Sequence, residues 1–196
     1  MSNFPKRMKQ SMAAAAMAST LALAAGLATA ATPFATDVNA AIDAGLAYSR
    51  ANNHFTIYTQ ANGLSLLTLL EKEGLPAGYS GLDAADKLLA QSAACILITS
   101  PSFGDMGGFY SYYDGQVMMG LSVYLDTGGP DNPAACVLRS ARATIDKVVD
   151  RTIAQQTSGV PAAGSFAGFW GYNAPGGDSS TTQLTLAGLA SAKGFY

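Results

Sequence analysis

The feature that most constrains this chain is an internal repeat that alternates two kinds of helical segment. Three segments share an aspartate followed by apolar residues at helical spacing: 41–47 (AIDAGLA), 84–90 (AADKLLA) and 144–150 (TIDKVVD). Alternating with them are three apolar runs that end at Gly74, Gly128 and Gly194. Glycine just past an amphipathic run is a helix stop. Internal repetition of this kind is typical of repeat proteins built from one supersecondary unit.

The repeat predicts an all-α fold of six helices paired as three hairpins. The predicted helices span 37–51, 61–73, 82–98, 115–126, 134–156 and 180–193. The first helix of each pair carries charges along one face, which predicts an outer helix. These charges include Asp83, Asp86, Lys87, Arg139, Arg142, Asp146 and Asp150. The second helix is nearly uncharged and is expected to be an inner, mostly buried helix. No alternating apolar and polar run is long enough to predict a sheet.

The outer-to-inner connections are long, at 52–60, 99–114 and 157–179, and carry 11 of the 18 aromatic residues. If the inner helices run parallel to one another, these loops lie together at one end of the helix array, which we call the rim. The aromatic residues either build the wall of a ligand pocket or plug the end of the helix array. The candidates for ligand contact are Tyr110, Tyr112, Tyr113, Phe169, Trp170 and Tyr172. For Trp170 we also expect a structural role, in which it stacks under the loop after Gln156.

Residues 1–30 have the organisation of a secretory signal peptide. Lys6, Arg7 and Lys9 form a positive region, an Ala-rich apolar stretch follows, and Ala28-Thr29-Ala30 offers a cleavage site. A membrane-spanning helix needs about 20 strongly apolar residues, whereas this stretch is mostly Ala, Ser and Thr. The sequence therefore predicts a secreted or periplasmic domain over 31–196, with no stable membrane insertion after cleavage.

The charge balance and the shortage of metal-ligating residues argue against two kinds of site, a nucleic-acid interface and a zinc site. Without the three basic residues of the N-terminal region, 8 basic side chains remain against 13 acidic ones. A nucleic-acid-binding protein needs a basic surplus to displace counterions, so nucleic acid is not an expected partner. His54 is the only histidine, and the usual Cys and His ligands cannot assemble a zinc site. We expect no metal, no cofactor and a solvent-facing His54.

The two cysteines present a choice between a disulfide and free thiols. Export would place Cys95 and Cys136 in an oxidising compartment, which favours a disulfide. If the outer helices run parallel, with Asp86 level with Asp146, the two cysteines are separated by about 28 Å along the helix axes. A disulfide needs Cα atoms within about 7 Å. The helical register therefore predicts two buried free thiols.

Three carboxylates near the predicted rim are candidates for chemistry. Asp114 and Asp178 precede predicted inner helices, where a carboxylate caps the free N–H groups of the first turn. Asp105 lies in a glycine-rich loop, where aspartate commonly forms a turn. The alternative role for any of them is a general acid in a pocket entrance that is partly shielded from water, where burial would raise the pKa of the carboxyl group.

The last repeat resembles a known family. Residues 168–194 (GFWGYNAPGGDSSTTQLTLAGLASAKG), preceded by Gln155-Gln156, are similar to the repeat of the prenyltransferase and squalene oxidase repeat proteins, the terpenoid cyclase family of α/α toroids. That repeat has a Gln ending an outer helix, a Gly-x-Trp turn, and an Asp with small hydroxyl residues opening the next inner helix. The matching residues are Gln156, Gly168, Trp170, Asp178 and Gln183. Residues 107–129 are similar with Tyr in place of Trp, and 52–74 match weakly.

The resemblance implies an α/α toroid but not the family's chemistry. The D-x-D-D motif of the cyclases, the Asp, Cys and His zinc set of the prenyltransferases and the C-G-E-Q thioester motif are all missing from the sequence. The six predicted helices amount to half of a complete ring. The terminal inner helices would then each expose one apolar flank. We therefore expect either a missing C-terminal half or closure of the ring by self-association.

Two hypotheses for function follow. The first is a non-catalytic repeat domain that binds an apolar small molecule, an extended ligand such as a glycan, or a protein partner on its aromatic rim. The alternative is a cyclase-like or lyase-like enzyme that acts on an isoprenoid or a polysaccharide in the toroid cavity, with Asp105, Asp114 or Asp178 as the acid. A rim carboxylate with a raised pKa in a deep pocket would favour the enzyme, and capping geometry would favour the binding domain.

Overall fold

A computed structural model describes residues 33–72, 77–99, 111–134, 136, 139–158, 168–172 and 177–196. Within these ranges every regular element is a helix and none is a strand, so the all-α prediction is confirmed. No helix of the described part is long and apolar enough to cross a membrane. The predicted signal peptide at 1–30 lies outside the described residues.

The chain divides into two compact units, Met1–Ala41 and Ile42–Tyr196. The described part of the first unit is the beginning of one helix, and the second unit holds everything discussed below. The α-helices are α1 (Pro33–Ala51), α2 (Asn62–Glu71), α3 (Gly78–Gly81), α4 (Ala84–Thr99), α5 (Ser111–Asp126), α6 (Ala141–Ser158) and α7 (Ser179–Ala192), and a 3-10 turn follows at Lys193–Phe195. Six of these correspond to the predicted helices, and the single turn α3 was not predicted.

Helix α5 is the centre of the second unit. It packs between α2 on one flank and α7 on the other, and Asp126 is its only exposed residue. The predicted inner helices therefore lie side by side. Helices α5 and α7 run parallel, because Ser111 of α5 accepts a hydrogen bond from Thr185 while the later Met118 meets Gly188. By contrast, α7 keeps an exposed stripe that includes Leu186, which is 53% exposed.

Glycines allow the inner helices to approach backbone to backbone. A Cβ atom added at Gly188 would lie 2.7 Å from the carbonyl oxygen of Gly115. At Gly63 in α2 an added Cβ would lie 2.8 Å from the carbonyl oxygen of Gln116 in α5. Real Cβ atoms essentially never come this close to backbone, so these contacts require glycine. The close packing explains why α5 is almost completely shielded from solvent.

Substitution of Gly188 by alanine should destabilise the protein, because the new methyl group would force α5 and α7 apart. Overpacking of this kind costs about 1 to 3 kcal/mol, and urea denaturation monitored by circular dichroism measures it. Gly45→Ala is the matched control, since an added Cβ there meets nothing within 4 Å. Because alanine is a better helix former than glycine, Gly45→Ala should leave the free energy of unfolding unchanged or raise it by up to about 1 kcal/mol. Equal effects of the two substitutions would contradict close packing at Gly188.

The outer helices do not pair as expected. Helix α4 packs chiefly against the preceding inner helix α2, and α6 packs chiefly against the preceding α5. The prediction had placed each outer helix in a hairpin with the inner helix that follows it. Helices α4 and α6 therefore each pack mainly against the inner helix that precedes them in the chain.

Asp86 is not on a solvent-facing surface of its helix, contrary to the amphipathic pattern. It is 3% exposed and accepts two hydrogen bonds of 2.8 Å from the Arg50 guanidinium. Lys72 adds a second cation at 3.4 Å. A buried carboxylate is stable only when it is paired in this way, so Asp86 ties the end of α1 to the start of α4. Arg139, also assigned to an outer helix, instead precedes α6.

The two cysteines form a disulfide, so the prediction of free thiols is wrong. The Cα atoms of Cys95 and Cys136 are 5.3 Å apart. The error came from placing Cys136 inside a helix that begins at 134. Helix α6 begins only at Ala141, whose amide donates to the Asp131 carbonyl at 2.8 Å. The preceding segment turns back along α4, where the Ala134 amide donates to Gln91 at 3.3 Å, one helical turn before Cys95.

Candidate functional site: a tyrosine-lined cavity

A cavity of about 430 Å³ lies at the end of the second unit where inner helices begin. Among the described residues its lining consists of Gln60, Ala61, Tyr112, Tyr113 and Tyr172. Gln60 and Ala61 directly precede α2, Tyr112 and Tyr113 belong to the first turn of α5, and Tyr172 lies in the connection before α7. The cavity volume falls in the range of small-molecule sites. We call these five residues the tyrosine cavity.

Tyr172 is positioned by a short segment, Gly168–Tyr172, that is bonded to three helices. The Gln156 amide of α6 donates to the Gly168 carbonyl at 3.0 Å. The Ser111 amide at the start of α5 donates to the Tyr172 carbonyl at 3.1 Å. The Tyr172 hydroxyl lies 3.3 Å from the Ser180 hydroxyl of α7. Because both ends of the segment are anchored, the Tyr172 ring is held beside the first turn of α5.

Trp170 is the buried anchor of this segment. It is 3% exposed, and its indole N–H donates to the Thr152 carbonyl of α6 at 3.0 Å. Its own carbonyl accepts from the Thr181 hydroxyl at 2.6 Å and from the Asp178 amide at 3.1 Å. Trp170 therefore does not line the cavity, although it was a candidate for ligand contact. Its position agrees with the expected structural role.

The aromatic rings of the cavity present both faces and edges. Tyr112 and Tyr172 are nearly parallel, with an interplanar angle of 24° and a centroid distance of 6.4 Å. Tyr113 meets Tyr112 edge to face at 6.0 Å. Both arrangements are favourable for aromatic pairs. Tyr112 and Tyr113 are helical rather than in the loop where the sequence placed them, because α5 starts at Ser111.

Gln60 and Ala61 were not among the sequence candidates. They are held by Asn62, whose side-chain amide donates to the carbonyls of His54 at 2.8 Å and Ile57 at 3.1 Å. The buried Gln116 of α5 donates to the Gln60 carbonyl at 3.3 Å. The sequence feature that could have identified Gln60 as a lining residue is its position, because it precedes an inner helix as Tyr110 and Tyr172 do. Aromatic content alone does not single out Gln60.

Asp114 pairs with a cation and does not cap its helix, contrary to expectation. It lies inside the first turn of α5, is 1% exposed, and accepts hydrogen bonds from both Nη2 and Nε of Arg151, the latter at 3.0 Å. This buried pair ties α6 to α5. Burial raises the pKa of Asp114 to about 6 although Arg151 opposes the rise. Asp114 does not belong to the tyrosine cavity, so its raised pKa does not place an acid there.

The Asp114 pair predicts an increase in stability on mild acidification. The pKa is about 6 in the folded protein and 3.8 ordinarily, so the folded state binds the proton more tightly. The contribution of this group to the free energy of unfolding therefore rises as pH falls from 7 to 5, by about 1 kcal/mol. Denaturation at both pH values measures the change. Asp114→Asn should remove it and Asp178→Asn should retain it, whereas the same pH dependence in Asp114→Asn would contradict the assignment.

Asp178 is the N-cap of α7, as expected. Its side chain accepts hydrogen bonds from the Ser180 hydroxyl at 2.5 Å and from the Thr181 amide at 2.9 Å. These bonds hold the pKa of Asp178 below its ordinary value. A carboxylate that stays ionised in this way is poorly suited to act as a general acid near neutral pH.

The remaining candidates are dispersed. Asp105 and Tyr110 lie outside the described residues. Phe169 is 42% exposed and Gln183 is exposed on α7, and neither belongs to the cavity lining. His54 is half-buried rather than solvent-facing, with its ring 5.6 Å from that of Tyr48. No cluster of three metal-ligating side chains occurs within the described ranges.

Comparison with known proteins adds no relative to this site: no family model matches the chain, and no curated protein or solved structure matches it.

Proposed function

We propose that this chain is an exported, non-catalytic binding domain that takes a small or extended ligand in the tyrosine cavity. The observation that carries the proposal is the cavity itself: about 430 Å³ of space lined by Tyr112, Tyr113 and Tyr172 together with Gln60 and Ala61. An aromatic wall with a few polar groups is the usual composition of a small-molecule site. Because Tyr172 and Tyr112 are anchored by helix contacts, little side-chain entropy would be lost on binding.

The absence of a free acid in the described part of the cavity supports binding over catalysis. Asp114 is committed to Arg151, and Asp178 is committed to the N-terminus of α7. The contacts of Asp114 and Asp178 therefore give both carboxylates structural roles. None of the five lining residues is a carboxylate or a histidine. The enzyme hypothesis is left without a placed general acid among the described candidates.

We further propose that the domain is a relative of the prenyltransferase and squalene oxidase repeat proteins. The matched residues behave as a linked set, which supports the resemblance: Gln156 donates to Gly168, Trp170 is buried beneath the segment, and Asp178 caps the next inner helix. The side-by-side inner helices also fit a toroid segment. The Cys95–Cys136 disulfide supports export, because disulfides persist in oxidising compartments.

Ligand-observed NMR tests whether the cavity binds. The probes are phenol, cyclohexanol, geraniol and methyl glucoside, each examined for saturation transfer from the full protein. We expect transfer to at least one probe, lost in Tyr172→Ala because the exposed ring is removed. Tyr48→Ala is the matched control, since Tyr48 is a 63% exposed tyrosine outside the cavity lining. Transfer that is absent, or unchanged in Tyr172→Ala, would exclude the cavity as a binding site.

A further inference from the structure

We propose that the tyrosine cavity binds a neutral carbohydrate, with the C–H face of one pyranose ring packed on Tyr172. This inference rests on the proposed function and specifies its ligand. A pyranose has an apolar face of C–H groups and a rim of hydroxyl groups. Its recognition therefore requires an exposed aromatic face, polar uncharged groups at the edge and access to water. The described cavity provides all three.

The aromatic face is provided by Tyr172. Its side chain is 43% exposed, yet its backbone carbonyl is fixed by the Ser111 amide at 3.1 Å. Tyr112 backs the ring at a centroid distance of 6.4 Å in a nearly parallel orientation. The accessible ring is thus supported from behind and pre-oriented, and a flat apolar surface can be covered at low entropic cost.

The described residues at the edge of the cavity are polar or small and uncharged. None of the five described lining residues carries a charged side chain, so these residues offer no side-chain counter-charge to an ionic ligand. Gln60 is exposed, and its side chain forms no hydrogen bond with any other described residue. A primary amide offers both a donor and an acceptor, as adjacent sugar hydroxyls require.

The openness of the cavity favours a sugar over an isoprenoid. Gln60, Ala61 and Tyr172 are all exposed, so a bound molecule would keep part of its surface in water. An isoprenoid gains affinity chiefly from apolar surface removed from water, and an open cavity leaves much of that surface hydrated. A carbohydrate keeps its outer hydroxyls solvated at no cost while one face is buried.

Isothermal titration of the full chain tests the assignment. The ligands are cellohexaose, xylohexaose and mannohexaose as neutral sugars, hexagalacturonate as an acidic sugar, and farnesol as an isoprenoid. We expect binding of at least one neutral sugar, at least tenfold weaker in Tyr172→Ala and unchanged in Tyr48→Ala. Tyr172→Phe should stay within about threefold of the wild type, because it keeps the ring.

Gln60→Ala provides a second variant at an exposed position, where folding is not at risk. It should weaken sugar binding at least threefold. Failure of every neutral sugar to bind would overturn the carbohydrate assignment. So would stronger Tyr172-dependent binding of hexagalacturonate, which the N-termini of α2 and α5 would favour, or of farnesol. The last two results would leave the proposed binding function intact, whereas fragment binding that is absent or independent of Tyr172 would remove that function as well.

Discussion

Replacement of Trp170 by alanine should lower the free energy of unfolding by about 3 to 5 kcal/mol, the usual cost of truncating a buried tryptophan. The indole is 3% exposed, and its N–H is the hydrogen-bond partner of the Thr152 carbonyl. The substitution leaves a cavity and removes a donor from a buried acceptor. Because the Gly168–Tyr172 segment joins α5, α6 and α7, the loss should appear in the cooperative unfolding transition measured in urea.

Phe169→Ala is the matched control for Trp170→Ala. Phe169 is the neighbouring aromatic residue in the same segment, but it is 42% exposed, so its truncation should cost much less. If Trp170→Ala instead left the unfolding transition unchanged and abolished ligand binding, Trp170 would be a ligand contact and its structural role would be refuted.

Removal of the disulfide should be the other large effect. Cys95 and Cys136 are 41 residues apart in sequence, and closing a loop of that length lowers the entropy of the unfolded chain by an amount equivalent to about 4 kcal/mol. The double variant Cys95→Ser/Cys136→Ser should lose stability of that order in urea denaturation. The segment that turns back along α4 would lose its covalent attachment in the variant.

The reduced wild-type protein is the control for the disulfide variant. It should unfold at nearly the same urea concentration as the double serine variant, and the oxidised wild type should unfold at a higher one. Thiol labelling of the unfolded, unreduced protein should detect no free thiol. Two labelled thiols per chain, or equal stability of the oxidised and reduced forms, would contradict the disulfide.

The helices and one cap were predictable because their signals are local. Apolar residues at helical spacing and the stop glycines located six of the helices to within a few residues at most ends. Asp178 was predicted as a cap because it precedes a predicted inner helix, and its carboxylate does accept from the Thr181 amide. A helix end depends on neighbours three or four residues away, so the sequence contains the necessary information.

The start of α6 shows where local signals were insufficient. The periodicity continues to residue 134, but the Asp131 side chain accepts from the Arg142 amide at 2.8 Å and the Ser140 hydroxyl accepts from the Ala143 amide at 3.1 Å. These contacts begin the helix at Ala141. The helix therefore begins seven residues later than predicted. Cys136 lies in the loop before it and does not follow the helical register, so the separation from Cys95 that predicted free thiols does not apply.

The partners of the buried carboxylates were decided by tertiary packing alone. Asp86 and Asp114 occupy positions that an amphipathic pattern assigns to a surface or a cap, yet each is bonded to an arginine 36 or 37 residues away. The cavity likewise depends on Gln60, Tyr112 and Tyr172, which come from the connection before α2, the first turn of α5 and the connection before α7. Periodicity records which face of a helix is apolar. It does not record which helix covers that face, since that depends on the path of the loops and on glycines that admit a neighbouring backbone.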